Sequence, residues 1–305
     1  MEITSLLEMQ GAMFLLLISG FIMRKRNILP EGGKSLLTNL LVDFVLPCSI
    51  IHSFQVEFTR EVFEKCIAVL AIAAVIQLLA WIFPKAAYGR IPSERRCVLE
   101  YGTICSNAGM MGTAIAENVF GTMGMMYSSI YLIPQRIAMW TIGLACFEQA
   151  VSRKNMVKKV LLHPCIIAVE LGLLVMIGGI SLPNFLTDTL GMTGGCTTPL
   201  SMIFLGMVLA EVKSIRDMFD RQILFYTVVR LVIFPGIVLA GCRLISADLV
   251  VTGVSVLLSA MPAGSTTAVL ASKYHKDIDF STKCVVITTV CSLVTIPIWC
   301  AILSL

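Results

Sequence analysis

Long apolar stretches alternate with short polar connectors along all 305 residues of the chain. Crossing the hydrocarbon core of a bilayer takes roughly 20 consecutive apolar residues in a helix. Apolar windows of about this length lie at 3–23, 36–54, 66–83, 97–119, 122–148, 164–180, 190–210, 223–245, 250–273 and 281–303. The longest polar connector, 148–163, leaves no room for a separate soluble domain. The pattern predicts an all-α integral membrane protein with ten transmembrane helices in a single domain, 1–305.

Two of the ten windows contain a run of small and polar residues where an uninterrupted helix would be expected. The first run, 105–113, reads CSNAGMMGT within the fourth window, and the second, 259–267, reads SAMPAGSTT within the ninth. Backbone that leaves the helix at membrane depth persists only where protein buries it or where it lines a cavity. Helices 4 and 9 are therefore predicted to be discontinuous, and their two breaks together form the candidate site.

Composition excludes several classes of protein. With 57% hydrophobic and 14% charged residues and a mean hydropathy of +0.89, the chain lacks the polar surface of a soluble domain. The eleven cysteines show neither CxxC pairs nor Cys/His spacings, so they are predicted to pack as small apolar residues. Phosphate-binding loops, metal-ligand motifs and catalytic triads are absent from the sequence. We expect no enzyme activity, no metal or organic cofactor and no nucleic-acid partner.

The positive charges predict how the chain is oriented in the membrane. Of the 23 Lys and Arg residues, 18 fall in alternate connectors, those that follow windows 1, 3, 5, 7 and 9. The opposite side carries only Arg60, Lys65 and Arg243. Because positively charged loops stay in the cytoplasm, we predict a multi-pass protein of the cytoplasmic membrane with both termini extracytoplasmic. The first window lacks a basic n-region and a cleavage site, so it is predicted to be a retained helix.

Matching landmarks in the two halves predict an internal repeat. Pro30, Pro47 and Asn107 in the first half correspond to Pro183, Pro199 and Pro262 in the second, at offsets of 152 to 155 residues. An odd number of helices in each half gives the two copies opposite orientations in the membrane. We predict two inverted five-helix repeats, 1–150 and 160–305, with helices 4 and 9 equivalent.

The breaks carry the groups that an anion site needs. Each break exposes a helix N-terminus, where N–H donors and the helix dipole favour negative charge. Asn107 adds an amide, the serines and threonines add hydroxyls, and the glycines allow close approach to the backbone. The predicted ligands are Ser106, Asn107, Gly109, Gly112, Pro262, Gly264, Ser265, Thr266 and Thr267. The alternative is that these small residues only let helices pack closely.

Ionisable residues inside the windows are costly in lipid and therefore mark function by default. Arg136 is the predicted cationic contact to a substrate carboxylate. The alternative is a structural ion pair with Glu117 or Glu148. Arg230 lies near the predicted cytoplasmic end of window 8, where its side chain can extend toward the interface.

Two further carboxylates are candidates for binding a coupling ion, H⁺ or Na⁺. Asp43 lies one turn before Pro47 in window 2, and Glu170 lies in window 6. Each has an alternative in which it simply faces water or a neighbouring amide.

Several motifs resemble the auxin efflux carrier family, whose bacterial members include malate and malonate permeases. The resemblance is carried by SNAGMMG at 106–112, MPAGSTTA at 261–268, ASKY at 271–274, Leu46-Pro47, Gln135, Trp140-Thr141 and Phe147-Glu148. It covers the whole chain and implies crossed helices 4 and 9, a scaffold of helices 1, 2, 6 and 7, and a mobile bundle of helices 3–5 and 8–10. It also implies an elevator-type movement and a homodimer.

The chain departs from the family pattern at one place. Thr113-Ala114-Ile115 stands where members usually place a proline shortly after the first break. The first break is therefore expected to depend on Asn107 and the glycines, and Asn107 is expected to determine its shape as well as its ligand contact.

The leading functional hypothesis is a secondary transporter of small organic anions, either mono- or dicarboxylates, that works by elevator-type alternating access in the lipid bilayer. A cation/proton exchanger of similar architecture is the first alternative. A membrane receptor that binds an anion without moving it is the second. The sequence does not choose the anion, the direction of transport or the coupling ion.

Overall fold

The computed structural model describes residues 3–30, 32–147, 161–210, 220–264 and 266–304, and fourteen α-helices lie within these ranges. They are α1 Ile3–Lys25, α2 Gly33–Leu40, α3 Leu46–Ser53, α4 Arg60–Ala87, α5 Ser93–Ile104, α6 Met111–Ala138, α7 Pro164–Ile177, α8 Asn184–Gly194, α9 Thr197–Ala210, α10 Arg221–Val228, α11 Phe234–Leu244, α12 Leu249–Ser259, α13 Thr266–Lys273 and α14 Ile278–Ser304. Single π-helical segments, Leu41–Val45 and Val229–Ile233, join α2 to α3 and α10 to α11.

The length and apolar character of the helices support a multi-pass membrane protein. Among the described residues, five helical stretches are long and apolar enough to cross a bilayer: Ser35–Ser53, Arg60–Ala87, Asn184–Ala210, Arg221–Leu244 and Ile278–Leu303. Large apolar side chains in the middle of helices are exposed, such as Leu15 at 67%, Leu174 at 65% and Val294 at 65%. Continuous exposed apolar surface of this kind suits contact with lipid. The count of ten crossings stays a prediction.

Local sequence explains where several helices begin. The Thr59 hydroxyl accepts a hydrogen bond from the backbone N–H of Val62 at the start of α4. Asp220 caps α10 and Asp248 caps α12 in the same way, through backbone N–H groups two or three residues ahead. Such N-caps satisfy donors that the first helical turn leaves unpaired. The helices thus start at positions that their own side chains define.

The helices pack into two groups. In the first, here called the paired-helix group, α1 packs along α9 and α3 packs against α7 and α8. In the second, the crossover group, α6 packs against α4 and α12, while α5, α10 and α13 pack against α14. The two groups meet mainly where α6 contacts α3 and α9, and where α14 contacts α1. The division into a scaffold and a mobile bundle that the family resemblance implies stays a prediction.

Both predicted helix breaks are present. The window predicted at 97–119 contains the end of α5 at Ile104 and the start of α6 at Met111, and the window at 250–273 contains the end of α12 at Ser259 and the start of α13 at Thr266.

The predicted boundary between windows 4 and 5 is a kink within α6. This helix continues past residue 119 to Ala138, and Gly121 has a φ of +63° inside it. That backbone conformation favours glycine, because a Cβ atom would be strained there. Two helical stretches of α6 thus meet at Gly121, where the backbone leaves the helical conformation at one residue and the chain changes direction.

Candidate functional site

The two breaks cross each other and share backbone hydrogen bonds. The N–H of Asn107 donates to the carbonyl of Pro262 at 2.8 Å, and the N–H of Gly264 donates to the carbonyl of Cys105 at 3.1 Å. The same crossing gives an isolated antiparallel bridge between Ser106 and Ala263. Backbone groups released from the helices are thereby paired without water, as membrane depth requires. The two breaks therefore meet and are joined through their backbones.

Gln135 of α6 holds the first break from the side. Its amide Nε2 donates to the carbonyl of Ser106 at 2.9 Å, and the Ser106 hydroxyl donates back to Oε1 at 3.4 Å. Both residues are buried. The hydroxyl of Ser106 is therefore engaged within the protein, which corrects the expectation that Asn107 and the glycines alone set the shape of this break.

Side chains from two further helices complete the crossing. Gln77 of α4 donates from Nε2 to the carbonyl of Ile104 at 3.0 Å, at the end of α5. Thr288 of α14 accepts a hydrogen bond from the N–H of Ala263 at 3.2 Å. Sequence reasoning missed both residues, since each is an isolated polar residue in an apolar helix.

Replacing Gln135 by leucine should lower the melting temperature of the purified protein. The change leaves the Ser106 carbonyl unpaired in a buried place, which costs about 1–3 kcal/mol. Gln55→Leu is the matched control, because its Nε2 is buried without a hydrogen-bond partner among the described residues. Thermal unfolding in detergent measures both variants. Equal melting temperatures for wild type and Gln135→Leu would contradict the assigned contact.

A cavity of about 270 Å³ opens beside the crossing, between the two helix groups. It is lined by Thr38, Asn39, Val42, Asp43, Leu46, Cys105, Ser106, Asn107, Gly109, Met110, Leu132, Gln135, Arg136, Met139, His163, Gly264 and Thr266. Mostly apolar walls with a few convergent polar groups are typical of small-molecule sites.

Arg136 brings a buried positive charge to this cavity. Its side chain is 7% exposed, and Nη1 has no hydrogen-bond partner among the described residues. The predicted alternative pair with Glu117 is not formed, because the Glu117 carboxylate accepts from the Ser49 hydroxyl at 3.5 Å instead. Glu148 lies outside the described residues. A buried charge is costly unless it is paired, so the guanidinium is suited to an anionic ligand.

Asn107 offers an unused amide to the same cavity. Its backbone is engaged with Pro262, but its side chain makes no hydrogen bond within the described part of the chain. The Thr266 hydroxyl differs, since it accepts from the Tyr101 hydroxyl at 3.3 Å. The Asn107 side chain is therefore available to a ligand, whereas Thr266 is already partly engaged.

Other predicted ligands lie around the crossing but outside the cavity lining. Gly112 packs closely, because a Cβ atom there would lie 3.0 Å from Met261 Cγ. Pro262 contributes its carbonyl to the crossing, and Thr267 is buried with no hydrogen-bond partner for its hydroxyl in the described residues. Ser265 lies outside the described residues.

The two candidate ion-coupling carboxylates are in different places. Asp43 lies in the π-helical segment between α2 and α3 and lines the cavity. Glu170 is exposed on α7 and does not line the cavity. The geometry therefore keeps Asp43 beside the site and separates Glu170 from it.

The predicted position of the Arg230 side chain is wrong. Its side chain is 2% exposed, so it does not extend toward the membrane interface. The guanidinium lies 5.5 Å from the ring centroid of Phe234, and its Nε and Nη1 have no hydrogen-bond partner among the described residues. Connector charges indicate which end of a helix is cytoplasmic, but they do not indicate which face of it is buried.

Three polar residues that line the cavity were not predicted. Thr38 and Asn39 of α2 line it, and Asn39 precedes Asp43 by four residues, a spacing that places both on one helical face. His163 lines it from the start of α7, where its Nδ1 accepts a hydrogen bond from the N–H of Cys165 at 3.3 Å. From the sequence, His163 is expected to be an interfacial polar residue and not a ligand, because the three histidines of the chain form no cluster.

Comparisons with known proteins place nearly the whole chain in one family. Residues 9–300 match a family model described as membrane transport protein. A protein of Methanothermobacter thermautotrophicus described as an uncharacterized transporter is 22% identical over 312 residues, which covers 96% of this chain and 96% of the relative. The family match includes both breaks and every residue that lines the cavity.

Proposed function

The chain belongs to the membrane transport protein family, the auxin efflux carrier family, and on that premise we propose that it is a secondary transporter of small organic anions. The observation that carries the proposal is the buried Arg136 guanidinium, which has an unpaired Nη1 and lines the same cavity as the unused Asn107 amide. A guanidinium and an amide together match the acceptor geometry of a carboxylate.

The substrate carboxylate accepts hydrogen bonds from Arg136 and Asn107, and the N-terminal ends of α6 and α13 add favourable dipoles. Charge-assisted hydrogen bonds of this kind are about twice as strong as neutral ones. A cavity of about 270 Å³ suits a small mono- or dicarboxylate. The remainder of the substrate packs against Val42, Leu46 and Leu132.

The transport movement follows from the position of the cavity between the two helix groups. We infer ten membrane crossings in two inverted repeats, with the crossover group as the mobile bundle and the paired-helix group as the scaffold. Sliding of the bundle carries the site across the bilayer in an elevator-type cycle. A homodimer formed through the scaffold, with both termini extracytoplasmic, completes the proposal.

The coupling ion is H⁺ or Na⁺. Of the two carboxylates named from the sequence, Asp43 lines the cavity, whereas Glu170 is exposed on α7 and does not. The carboxylate of Asp43 also motivates the alternative of a cation/proton exchanger. The buried charge of Arg136 opposes that alternative, since like charges repel in a medium of low dielectric constant.

Uptake into proteoliposomes tests the function. Labelled malate, malonate, lactate and indole-acetate are offered with and without imposed pH and Na⁺ gradients. We expect saturable uptake of at least one anion, since the cavity supplies a carboxylate site. An exchanger would instead move Na⁺ under a pH gradient without any anion. A receptor would bind an anion without uptake, and absence of all anion uptake would contradict the proposal.

A further inference from the structure

Glu117 is a carboxylate within the fourth predicted membrane window, 97–119, and it does not line the substrate cavity. It lies on the first half of α6, between the helix break and the kink at Gly121, and its side chain is half-buried. Its one hydrogen-bond partner among the described residues is the Ser49 hydroxyl of α3, 3.5 Å from Oε1. A carboxylate at membrane depth is expensive and marks function by default.

Glu117 lies at the boundary between the two helix groups. α6 belongs to the crossover group, whereas Ser49 belongs to the paired-helix group. The neighbouring Asn118 makes a second contact across the same boundary, since its Nδ2 donates to the Thr198 hydroxyl of α9 at 2.7 Å. We call these four residues, Ser49, Glu117, Asn118 and Thr198, the polar seam.

Few charged groups are available to neutralise Glu117. The elements packed against α6 are α3, α4, α7, α9 and α12, and neither α9 nor α12 contains a titratable residue. The titratable residues on the others are Cys48, His52, Arg60, Glu61, Glu64, Lys65, Cys66, Lys85, Cys165 and Glu170. No ion pair joins Glu117 to any of these residues in the described part of the chain.

Two basic residues on the helices packed against α6, Lys65 and His52, lie against other residues. Lys65 lies 2.8 Å from Glu61 and 3.0 Å from Asp248. His52 packs against α8, where its Nε2 would lie 3.1 Å from a Cβ atom at Gly191. The Glu117 carboxylate is therefore left with one long hydrogen bond from a hydroxyl.

We propose that Glu117 is a proton-binding group of the transport cycle, protonated while it moves past the apolar residues of α3 and deprotonated when it is open to water. The inference rests on the proposed transport function. An ionised carboxylate with one hydroxyl partner is poorly satisfied in an apolar boundary. Protonation converts it to a neutral acid with a donor of its own, so the crossover group can slide past α3 carrying one proton with the anion.

The chemistry of the step is a reversible protonation. A proton from water on the side of higher acidity adds to the Glu117 carboxylate, and the same proton leaves to water on the other side. No other bond forms or breaks. A pH gradient of one unit then drives about tenfold accumulation of a monoanion that moves with one proton.

Glu117→Gln separates coupling from substrate binding, because glutamine keeps the neutral shape of the protonated acid and cannot release a proton. Proteoliposomes are tested with whichever of labelled malate, malonate, lactate and indole-acetate the wild type transports. We expect the variant to lose accumulation driven by the pH gradient while it retains exchange of labelled for unlabelled anion. Glu64→Gln is the matched control, since Glu64 is an exposed carboxylate paired with Arg60.

Three outcomes would overturn the inference. In the first, Glu117→Gln accumulates the anion under a pH gradient as the wild type does. In the second, Asp43→Asn abolishes the pH dependence of transport while Glu117→Gln preserves it. Asp43 in the cavity, and not Glu117, would then be the group that binds the proton. In the third, the wild type transports the anion with no response to the pH gradient. A wild type that transports no anion at all would instead remove the proposed function on which the inference rests.

Discussion

Replacing Arg136 by methionine should weaken binding of the transported anion by about 10- to 100-fold and leave the melting temperature unchanged or higher. A hydrogen bond to a charged group contributes about 1.5–3 kcal/mol, and 1.4 kcal/mol is a factor of ten in affinity. The stability expectation follows from the unpaired Nη1 and the 7% exposure of the side chain. Removing a buried charge without a partner does not destabilise the fold.

Binding and thermal unfolding of the same preparations test Arg136. The matched control is Arg243→Met, because Arg243 is exposed at the end of α11. Arg136→Lys keeps the charge but loses the planar fork, so an intermediate affinity is expected. A loss of folded protein in Arg136→Met, with normal affinity in the fraction that remains folded, would make this arginine structural.

Replacing Asn107 by alanine should abolish transport while the protein still inserts and folds. The crossing uses the backbone N–H of Asn107, which alanine also provides, and not the side chain. The variant therefore keeps the bond to Pro262 and loses only the amide that faces the cavity. The melting temperature reports whether the backbone bond to Pro262 is kept, and the transport rate reports the loss of the side-chain amide.

Asn184→Ala is the control for Asn107, since Asn184 is an exposed residue at the start of α8. Asn107→Asp adds a negative charge beside the bound carboxylate and is expected to be inactive as well, because like charges repel. Full transport by Asn107→Ala would remove this residue from the site. A melting temperature reduced as far as that of Gln135→Leu would show that its side chain supports the break.

The sequence located both breaks because their composition is incompatible with an uninterrupted membrane helix. Asn107 and Arg136 were predicted for the same reason, since an amide and a charge are costly at that depth. Gly112 was proposed as a ligand but packs against Met261. A glycine permits either close helix packing or close ligand approach, and its spacing alone does not distinguish the two.

The errors and omissions concern tertiary contacts. Burial of Arg230 depends on how the helix that carries it is rotated within the bundle, which connector charges do not determine. The support that Gln135 and Thr288 give to the breaks comes from residues 29 and 25 positions away from the groups they contact, which local sequence patterns do not reveal. At the first break, which lacks the proline that the family resemblance leads one to expect, Gln77 and Gln135 donate to the carbonyls of Ile104 and Ser106.

Counterflow of labelled carboxylate tests the central claim most directly, because it requires one site that carries an anion both ways. Proteoliposomes are preloaded with an unlabelled anion of the panel and then diluted into a solution that contains the same anion in labelled form. We predict transient accumulation of label in wild type, Asn184→Ala and Arg243→Met, and none in Asn107→Ala and Arg136→Met. Absence of counterflow in the wild type with every anion of the panel would contradict the account. Counterflow in Asn107→Ala and Arg136→Met as large as in the wild type would also contradict it.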